Sequence, residues 1–372
     1  MMHTTFLIPI LFALFFIAVH YLVYRRIILS MQIGLRSKYF LRLFLIFNFF
    51  GIMGYVLTRY YINVPQWLYF ILSLSIGVGF TLVIGLVLYE TLHLFLRFMP
   101  MDEGRRDFFK RSSDIGFLSL GAAYVGSGVA EGSKMPKVLH INAHQGRFAT
   151  PYRIAQLSDM HIGGLIEQEF VRRSVTLVND LHPDLVVITG DLVDAPVAQL
   201  KAAVDELKNL KSRFGTFFVV GNHEYFHDIE ATITYLKSIG ITVLENENTL
   251  IDNAFHICGV YDLFGIRYGS LKPDITKAYE GVPKEMPTLL LAHQPSYINL
   301  LKGFEPSLIL SGHTHGGQIW PLGYVVRLIQ PYLKGLHLIG EKRHIYVNSG
   351  IGFWGPPMRL GSHSEITLIN WS

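Results

Sequence analysis

Apolar residues are distributed in two different ways along the chain. Up to about residue 131 they form long runs, and those at 6–24, 43–58 and 67–89 are almost uninterrupted. Runs of this kind are typical of helices that cross a bilayer. A milder, glycine-rich apolar segment follows at 113–130. The pattern predicts a transmembrane region over residues 1–131 with about four helices, and a globular domain over residues 132–372.

Basic side chains flank these segments unevenly. The connection after the first segment is rich in Lys and Arg, and so is the connection at 97–111, whereas the second connection has Arg59 alone. Lys and Arg concentrate in cytoplasmic loops. We therefore predict that the first and third connections are cytoplasmic and that the globular domain is extracytoplasmic. Glu90 and His93, near the end of the third segment, are expected at the membrane interface.

The third connection contains Arg-Arg-Asp-Phe-Phe-Lys at 105–110. This segment looks like a twin-arginine export signal. A plain juxtamembrane basic loop is the alternative, and it gives the same orientation. The small residues at 128–130 could form a cleavage site, but we expect the segment to remain as an anchor.

Beyond residue 134, short β-type runs alternate with helical ones, which is typical of an α/β fold. Five of these runs, at 152–158, 184–189, 216–220, 288–291 and 308–310, are each followed within three residues by Asp, Asn or His. The carboxyl ends of parallel strands meet at one edge of a sheet. We therefore expect one site there, built from Asp159, His161, Asp191, Asn222, His293, His313 and His315.

This mixed set of carboxylate, amide and imidazole groups suits Mn, Fe or Zn better than Ca. Seven ligands are too many for one ion but suit two. A pair of divalent metal ions about 3.5–4 Å apart favours displacement at phosphorus, with a bridging hydroxide as the nucleophile.

The composition of the chain argues against several other classes of function. Charged residues make up only 16% of the chain, and the formal net charge is +4. The basic residues cluster beside the apolar segments, so nucleic-acid binding is not expected. Cys258 is the only cysteine, which excludes an intrachain disulfide and a cysteine-based metal site.

The motifs resemble those of the calcineurin-like metallophosphoesterases. The family blocks D-x-H, G-D-x-x-D, G-N-H-[DE], a later H and G-H-x-H stand here in that order between residues 159 and 315. The resemblance implies an αββα sandwich of two mixed sheets and two divalent metal ions, with Mn favoured. It also implies that Asp159, His161, Asp191 and His315 hold the first ion, and that Asp191, Asn222, His293 and His313 hold the second.

In the same family pattern, His223 is a general acid that faces the substrate rather than a metal ligand. The tail at 348–359 resembles a bacterial branch that often carries a membrane anchor, which implies an integral protein of the inner membrane. Arg359 in this tail is a candidate phosphate contact, because its forked donors suit phosphate oxygens. A surface arginine after a turn is the alternative.

These features predict a membrane-anchored phosphoesterase that acts on a phosphorylated small molecule or lipid, most simply one associated with the membrane. A UDP-2,3-diacylglucosamine diphosphatase-like enzyme of lipid A synthesis is an alternative, although its substrate is made on the cytoplasmic side. A second alternative is a transmembrane transport or sensor protein with a regulatory phosphoesterase domain. The absence of charged residues in the middle of the predicted spans argues against that alternative.

Overall fold

The computed structural model describes residues 2–61, 64–144, 146, 148 and 150–372. The chain divides into two compact units. The first, the helical unit, comprises Met1–Ala130 and Gly355–Met358. The second, the α/β unit, comprises Glu131–Trp354 and Arg359–Ser372.

Four long helices make up most of the helical unit. They are α1 (Met2–Leu22), which continues as a π-helical turn (Val23–Ile28), α2 (Leu35–Tyr61), α3 (Gln66–Phe98) and α4 (Glu103–Gly132). Among the described residues, three stretches are long and apolar enough to cross a membrane, namely Ile10–Ile28, Leu35–Thr58 and Gln66–Phe98. The three long apolar runs of the sequence therefore lie in helices of sufficient length.

The predicted fourth span does not meet the same standard. Residues 113–130 lie within α4, but α4 is not among the three helices that are long and apolar enough. The first half of α4 is rich in charged residues, and its second half contains many glycine, alanine and serine residues. By length and composition, three of the predicted spans therefore qualify as membrane-spanning, and the fourth does not.

Polar side chains inside the three spans bond to one another. His20 Nε2 lies 3.0 Å from Asn48 Oδ1, and Asn48 Nδ2 donates to the carbonyl of Ser75 at 3.0 Å. His20 Nδ1 lies 2.7 Å from the carbonyl of Phe16. These hydrogen bonds satisfy polar groups that would be costly in hydrocarbon and join three helices.

The α/β unit contains two six-stranded sheets. The first has the order β1-β12-β2-β3-β4-β5, and the second has the order β10-β11-β9-β8-β7-β6. Both are mixed, because β12 is antiparallel to β2 in the first sheet and the outer pairs β10–β11 and β6–β7 are antiparallel in the second. The strands are β1 (Lys137–Ala143), β2 (Tyr152–Leu157), β3 (Leu185–Thr189), β4 (Thr216–Val219), β5 (Thr242–Val243), β6 (Glu247–Ile251), β7 (Phe255–Gly259), β8 (Thr288–Leu291), β9 (Leu308–Ser311), β10 (Gly335–Leu338), β11 (His344–Val347) and β12 (Glu365–Trp371).

The strands alternate their side chains between two cores. On β3, Leu185 and Val187 join the core between the two sheets, whereas Val186 and Ile188 pack towards the helices on the outer face. A third apolar cluster, which includes Cys258 and Leu290, covers the outer face of the second sheet. The helices are α5 (Gln168–Asp180), α6 (Val197–Val204), α7 (Ile229–Ser238), α8 (Phe264–Tyr268), α9 (Ile275–Ala278) and α10 (Leu322–Val326).

This arrangement confirms the predicted αββα sandwich of two mixed sheets. Near-continuous apolar strands such as Leu185–Thr189 are expected where a sheet is covered on both faces. The five strands β2, β3, β4, β8 and β9 lie within the sheets rather than at their edges. The turns that follow these five strands carry the predicted site.

Candidate active site

The turns after the five internal strands bring the predicted metal-binding side chains together. Asp159, His161 and His315 each offer a ligand atom within 4.8 Å of the others. Asp191, His293 and His313 form a second such group. Asn222 adjoins the second group, because its Oδ1 lies 3.2 Å from His293 Nε2. All seven predicted residues are therefore in one region of the α/β unit.

The backbone is strained where these side chains converge. Five of the seven residues have a positive φ, a conformation that residues other than glycine adopt in only a few per cent of cases, with Asn, Asp and His more frequent than the rest. They are Asp159 (50°), His161 (51°), Asp191 (51°), His313 (69°) and His315 (50°). Strain of this kind costs free energy and is concentrated at functional sites. The turns are therefore shaped for the placement of side chains rather than for the easiest connection.

Gly190 shows how closely two of these turns approach. Its φ is +86°, and a Cβ on it would lie 2.6 Å from the backbone nitrogen of Gly221 and 2.7 Å from His293 Nδ1. Only glycine leaves room for the β3, β4 and β8 turns to meet. The close packing of these turns therefore explains why the G-D motif has a glycine at position 190.

In the first group, ring nitrogens and carboxylate oxygens face one another. His161 Nε2 lies 3.0 Å from His315 Nε2, and His315 Nε2 lies 3.5 Å from Asp159 Oδ1. The other nitrogen of His161, Nδ1, lies 2.8 Å from Asp194 Oδ1. Because a carboxylate only accepts hydrogen bonds, Nδ1 carries a hydrogen and Nε2 is free to present a lone pair.

In the second group, as in the first, one ring nitrogen of a histidine donates a hydrogen bond and the other faces possible ligand atoms. His293 Nδ1 lies 2.7 Å from the carbonyl of Thr189, so this nitrogen is the donor. His293 Nε2 then faces two oxygens, Asp191 Oδ2 at 3.2 Å and Asn222 Oδ1 at 3.2 Å. Asp191 Oδ2 also lies 4.0 Å from His161 Nε2 in the first group. Asp191 is therefore located between the two groups.

The electrostatics of these residues fit divalent cations. Burial lowers the pKa of His313 to about 3, and burial also holds the pKa of His315 well below its usual range. Both imidazoles are therefore neutral and can donate lone pairs. Burial disfavours ionisation of Asp191, but His293 and His223 outweigh it and hold the pKa of this carboxyl well below its usual range.

The protonation of His293 indicates that the surrounding cluster of oxygen acceptors needs a positive charge. Burial would lower its pKa, but the Asp191 carboxylate outweighs burial and raises that pKa well above its usual range. Without a cation, a proton on Nε2 supplies the positive charge that the surrounding oxygens require. A bound metal ion would replace this proton, as ligand imidazoles must be deprotonated. The donor set, its convergence and its charge therefore fit two divalent ions.

His223 lies beside the two groups and has a different set of partners. Its Nδ1 lies 2.6 Å from Asp194 Oδ1, and its Nε2 lies 3.9 Å from Asp191 Oδ2. Its backbone N–H donates to Asp191 Oδ1 at 2.9 Å. Asp194 thus fixes the His223 ring and leaves Nε2 on the side of the metal-binding groups.

Comparison with known proteins agrees with this geometry. The family model for calcineurin-like phosphoesterases matches residues 152–317. An uncharacterized metallophosphoesterase of Helicobacter pylori is 40% identical over 266 residues, which cover 71% of this chain and 72% of that protein. The chain belongs to the calcineurin-like phosphoesterase family. It is a metal-dependent phosphoesterase, as the sequence motifs predicted.

Two further relatives of this phosphoesterase differ in how they are described. An uncharacterized metallophosphoesterase of Campylobacter jejuni is 35% identical over 259 residues, which cover 69% of each chain. A transmembrane protein with metallophosphoesterase domain from Danio rerio is 32% identical over 322 residues, covering 82% of this chain and 74% of its own. This similarity and the three apolar helices indicate that the phosphoesterase is associated with a membrane.

Glu224 has a role in the phosphoesterase that the sequence motifs did not reveal. Its side chain is fully buried and accepts four backbone hydrogen bonds. Oε2 accepts from Gly221 at 2.6 Å and from Asp191 at 3.1 Å, and Oε1 accepts from Leu192 at 2.7 Å and from Val193 at 3.3 Å. Glu224 therefore binds the turn after β3 to the turn after β4. The acidic position in the G-N-H-[DE] motif was the available signal.

Arg359 is placed differently from its prediction. Its side chain is fully buried. Nε donates to the carbonyl of Gly352 at 3.0 Å, and Nη2 donates to Ser349 at 2.8 Å and to Gly350 at 3.1 Å. Nη1 lies within 3.2–3.4 Å of the carbonyls of His315 and His363. Protein acceptors surround the guanidinium, and this placement does not favour the predicted phosphate contact.

Two half-exposed aromatic rings flank His223. The ring of Phe226 lies 5.6 Å from the His223 ring, and the ring of Trp354 lies 6.1 Å from it. Gln318 holds the backbone of Trp354, because Oε1 accepts from Trp354 N–H at 2.9 Å and Nε2 donates to the Trp354 carbonyl at 3.0 Å. The surroundings of His223 are therefore apolar on two sides.

Proposed function

We propose that this protein is a membrane-anchored phosphoesterase that hydrolyses a phosphate ester or diphosphate on a membrane-associated substrate. The observation that carries the proposal is the position of Asp191 between two groups of potential ligand atoms, nitrogen and oxygen, that face one another. The convergence of such groups is costly unless cations neutralise them. Family membership supplies the class of reaction, and the apolar helices support the membrane-associated substrate.

We assign one cation to Asp159, His161, Asp191 and His315, and the other to Asp191, Asn222, His293 and His313. The mixed nitrogen and oxygen ligands favour Mn, Fe or Zn, and we favour Mn. A pair of bound divalent ions would polarise the phosphoryl oxygens and provide a nucleophile at neutral pH. These ligand atoms lie on turns that are held by hydrogen bonds from backbone N–H groups. Asp159 Oδ1 accepts from His313 N–H at 3.0 Å, for example.

We assign the role of general acid to His223. Asp194 accepts a hydrogen bond from its Nδ1, which fixes the ring and leaves Nε2 to carry the transferable proton. The leaving oxygen of the substrate would take this proton. Phe226 and Trp354 beside the ring favour a leaving group with apolar character. Arg359, by contrast, holds the loop after β11 and does not bind substrate in this proposal.

The orientation of the α/β unit depends on α4. We propose an integral protein of the bacterial inner membrane with the catalytic unit on the periplasmic side, supported by the basic connections and the twin-arginine-like segment. This orientation requires α4 to cross the bilayer as a fourth span. If only the three apolar helices cross, the same rule of basic loops places the catalytic unit in the cytoplasm.

The lipid A alternative depends on the same point. A UDP-2,3-diacylglucosamine diphosphatase acts on a substrate made on the cytoplasmic side, so a periplasmic catalytic unit excludes this activity. A reporter fused after residue 372 decides between the orientations. Alkaline phosphatase activity with silent cytoplasmic fluorescence supports the periplasmic proposal, whereas the reverse result overturns it and favours the lipid A enzyme.

A transport or sensor function for the helices is the weaker alternative. The polar groups inside the described spans, such as His20 and Asn48, are engaged with each other and with backbone carbonyls. Histidine and asparagine in mutually satisfied pairs are consistent with helix packing. A His20→Ala variant that keeps full phosphatase activity and full thermal stability would contradict this packing role.

A screen of phosphate release tests the proposed reaction. The full-length protein in detergent or nanodiscs is supplied with Mn²⁺ and offered aryl phosphates, nucleotides, sugar phosphates, and prenyl or glycerolipid phosphates. We expect turnover that Asp191→Asn abolishes and that Asp180→Asn, an exposed carboxylate on α5, leaves unchanged. A folded, metal-loaded protein that releases no phosphate from any class would overturn the proposal.

A further inference from the structure

The segment that follows the G-H-T-H motif exposes an unusual amount of apolar surface. Trp320, Tyr324 and Val325 are 52%, 66% and 57% exposed, and Leu328 and Ile329 reach 85% and 74%. Among the described large apolar residues of the α/β unit, Leu328 and Ile329 are the two most exposed. Exposed apolar groups clustered in this way mark interaction sites. We call residues 320–329 the apolar loop.

The apolar loop is attached directly to the metal-binding turn. Gly317 and Gly323 lie so close that a Cβ on Gly317 would lie 2.5 Å from the Cα of Gly323. The N–H of Trp320 donates to the carbonyl of Leu360 at 2.7 Å, and the N–H of Leu322 donates to the carbonyl of Ile319 at 2.8 Å. The loop is therefore held against the turn that carries His313 and His315.

The charge of this region also restricts its partner. Residues 306–340 contain no Asp or Glu and carry Arg327 and Lys334. Trp and Tyr beside exposed aliphatic side chains, with a basic residue between them, are the composition of segments that lie in the membrane interface. Anionic lipid headgroups attract such basic residues. Exposure, composition and charge therefore agree on one kind of partner.

We propose that the apolar loop inserts into the surface of the lipid bilayer and holds the metal-binding turn at the headgroup level. The three apolar helices supply the bilayer, and the apolar side chains of the loop are exposed. Together with the proposed function, on which this extension rests, the substrate would be a phosphorylated lipid whose headgroup enters the site. Its apolar tail would remain in the bilayer.

A site-specific fluorescence measurement on the full chain tests the docking. Cys258 is fully buried, so a single cysteine introduced by Leu328→Cys in a Cys258→Ser background can carry an environment-sensitive dye. In proteoliposomes that contain anionic lipid, we expect a blue shift and a loss of emission when the acyl chains carry nitroxide. The matched control is Leu250→Cys, at an exposed leucine on β6. Its dye should show neither change.

Each outcome of this measurement decides the proposal. A folded Leu328→Cys protein without nitroxide quenching overturns it, and so does equal quenching at position 250. A blue shift that persists in detergent and rises with protein concentration identifies a second copy of the chain as the occupant, which also overturns it. Quenching does not depend on catalysis, so a protein that docks but releases no phosphate contradicts the proposed function alone.

A second variant tests the link to the substrate. Replacing both exposed residues with Leu328→Ser and Ile329→Ser leaves the metal-binding side chains in place. We expect the ratio of turnover on a lipid phosphate in vesicles to turnover on a soluble aryl phosphate to fall at least about tenfold, because the two aliphatic side chains would no longer be transferred from water into the bilayer. An unchanged ratio would overturn the lipid substrate.

Discussion

Asp194 Oδ1 accepts hydrogen bonds from two imidazoles at once, at 2.6 Å from His223 Nδ1 and 2.8 Å from His161 Nδ1. Although burial opposes ionisation, His161 and His223 hold the pKa of Asp194 well below its usual range. One carboxylate therefore orients both a proposed metal ligand and the proposed general acid.

Asp194→Asn should weaken both functions. The amide oxygen of Asn can take the place of Oδ1, but it carries no negative charge, so its hydrogen bonds to the two imidazole N–H groups are weaker. Loss of such an outer partner typically costs about 10–100-fold in metal affinity or activity. Metal titration and steady-state kinetics would measure both, with Asp180→Asn as the control. An affinity and a kcat close to those of the unmodified protein would remove Asp194 from this role.

His223→Ala should slow catalysis while leaving the metal ions bound. Loss of a general acid costs on the order of 10²–10⁴-fold in rate. The loss should be much smaller for nitrophenyl phosphate than for an alkyl phosphate, because a good leaving group needs no proton. Comparing kcat for the two esters, with metal content measured in parallel, tests this role. An equal loss on both esters would indicate that His223 does not protonate the leaving group.

Glu224→Gln should destabilise the protein. The substitution replaces one acceptor oxygen by a donor that faces backbone N–H groups and leaves some of them unsatisfied. A buried unsatisfied group costs about 1–3 kcal/mol. Thermal and denaturant unfolding of the full chain would record the loss. An unfolding midpoint equal to that of the unmodified chain would show that these four hydrogen bonds contribute little.

Gly190→Ala should damage the site more than a similar change elsewhere. Alanine there must adopt a φ of +86° and place its Cβ 2.7 Å from His293 Nδ1. Gly215→Ala is a matched control, because φ is +92° and no atom lies within 4 Å of the added Cβ. Backbone strain alone costs roughly 1–2 kcal/mol in both variants. Only Gly190→Ala should also lose metal affinity, and equal affinities would refute the packing argument.

The seven predicted metal-binding residues could be found from the sequence because each lies within four residues of the end of an apolar strand. A run of four to six apolar residues between turn residues indicates a buried strand. The turn at its carboxyl end brings the next polar side chains to the edge of the sheet. Asp159 and His161 after β2, and Asp191 after β3, illustrate this local rule. Their convergence then follows from the fold.

The role of Arg359 could not be found in this way. Its partners are carbonyls at His315, Ser349, Gly350 and Gly352, and these come together only in the folded chain. A sequence shows that an arginine follows a glycine-rich turn but not which way its side chain points. The same limit applies to Glu224, whose four donors belong to two different turns.

For a different physical reason, length and composition support three of the predicted spans but not the fourth. The segment at 113–130 is only mildly apolar, and it continues a charged helical segment without a break. Small residues such as glycine and alanine add length to a helix with little transfer free energy into lipid. The predicted orientation is the inference most affected by this difference.

Metal stoichiometry of the purified full-length chain tests the central claim most directly. We predict two divalent ions per chain in the unmodified protein, loss of phosphate release after chelation, and recovery with Mn²⁺. Asp191→Asn should bind fewer ions and remain inactive, whereas Asp180→Asn should behave like the unmodified chain. Full phosphate release by a chain stripped of metal, or two tightly bound ions in an Asp191→Asn protein, would contradict it.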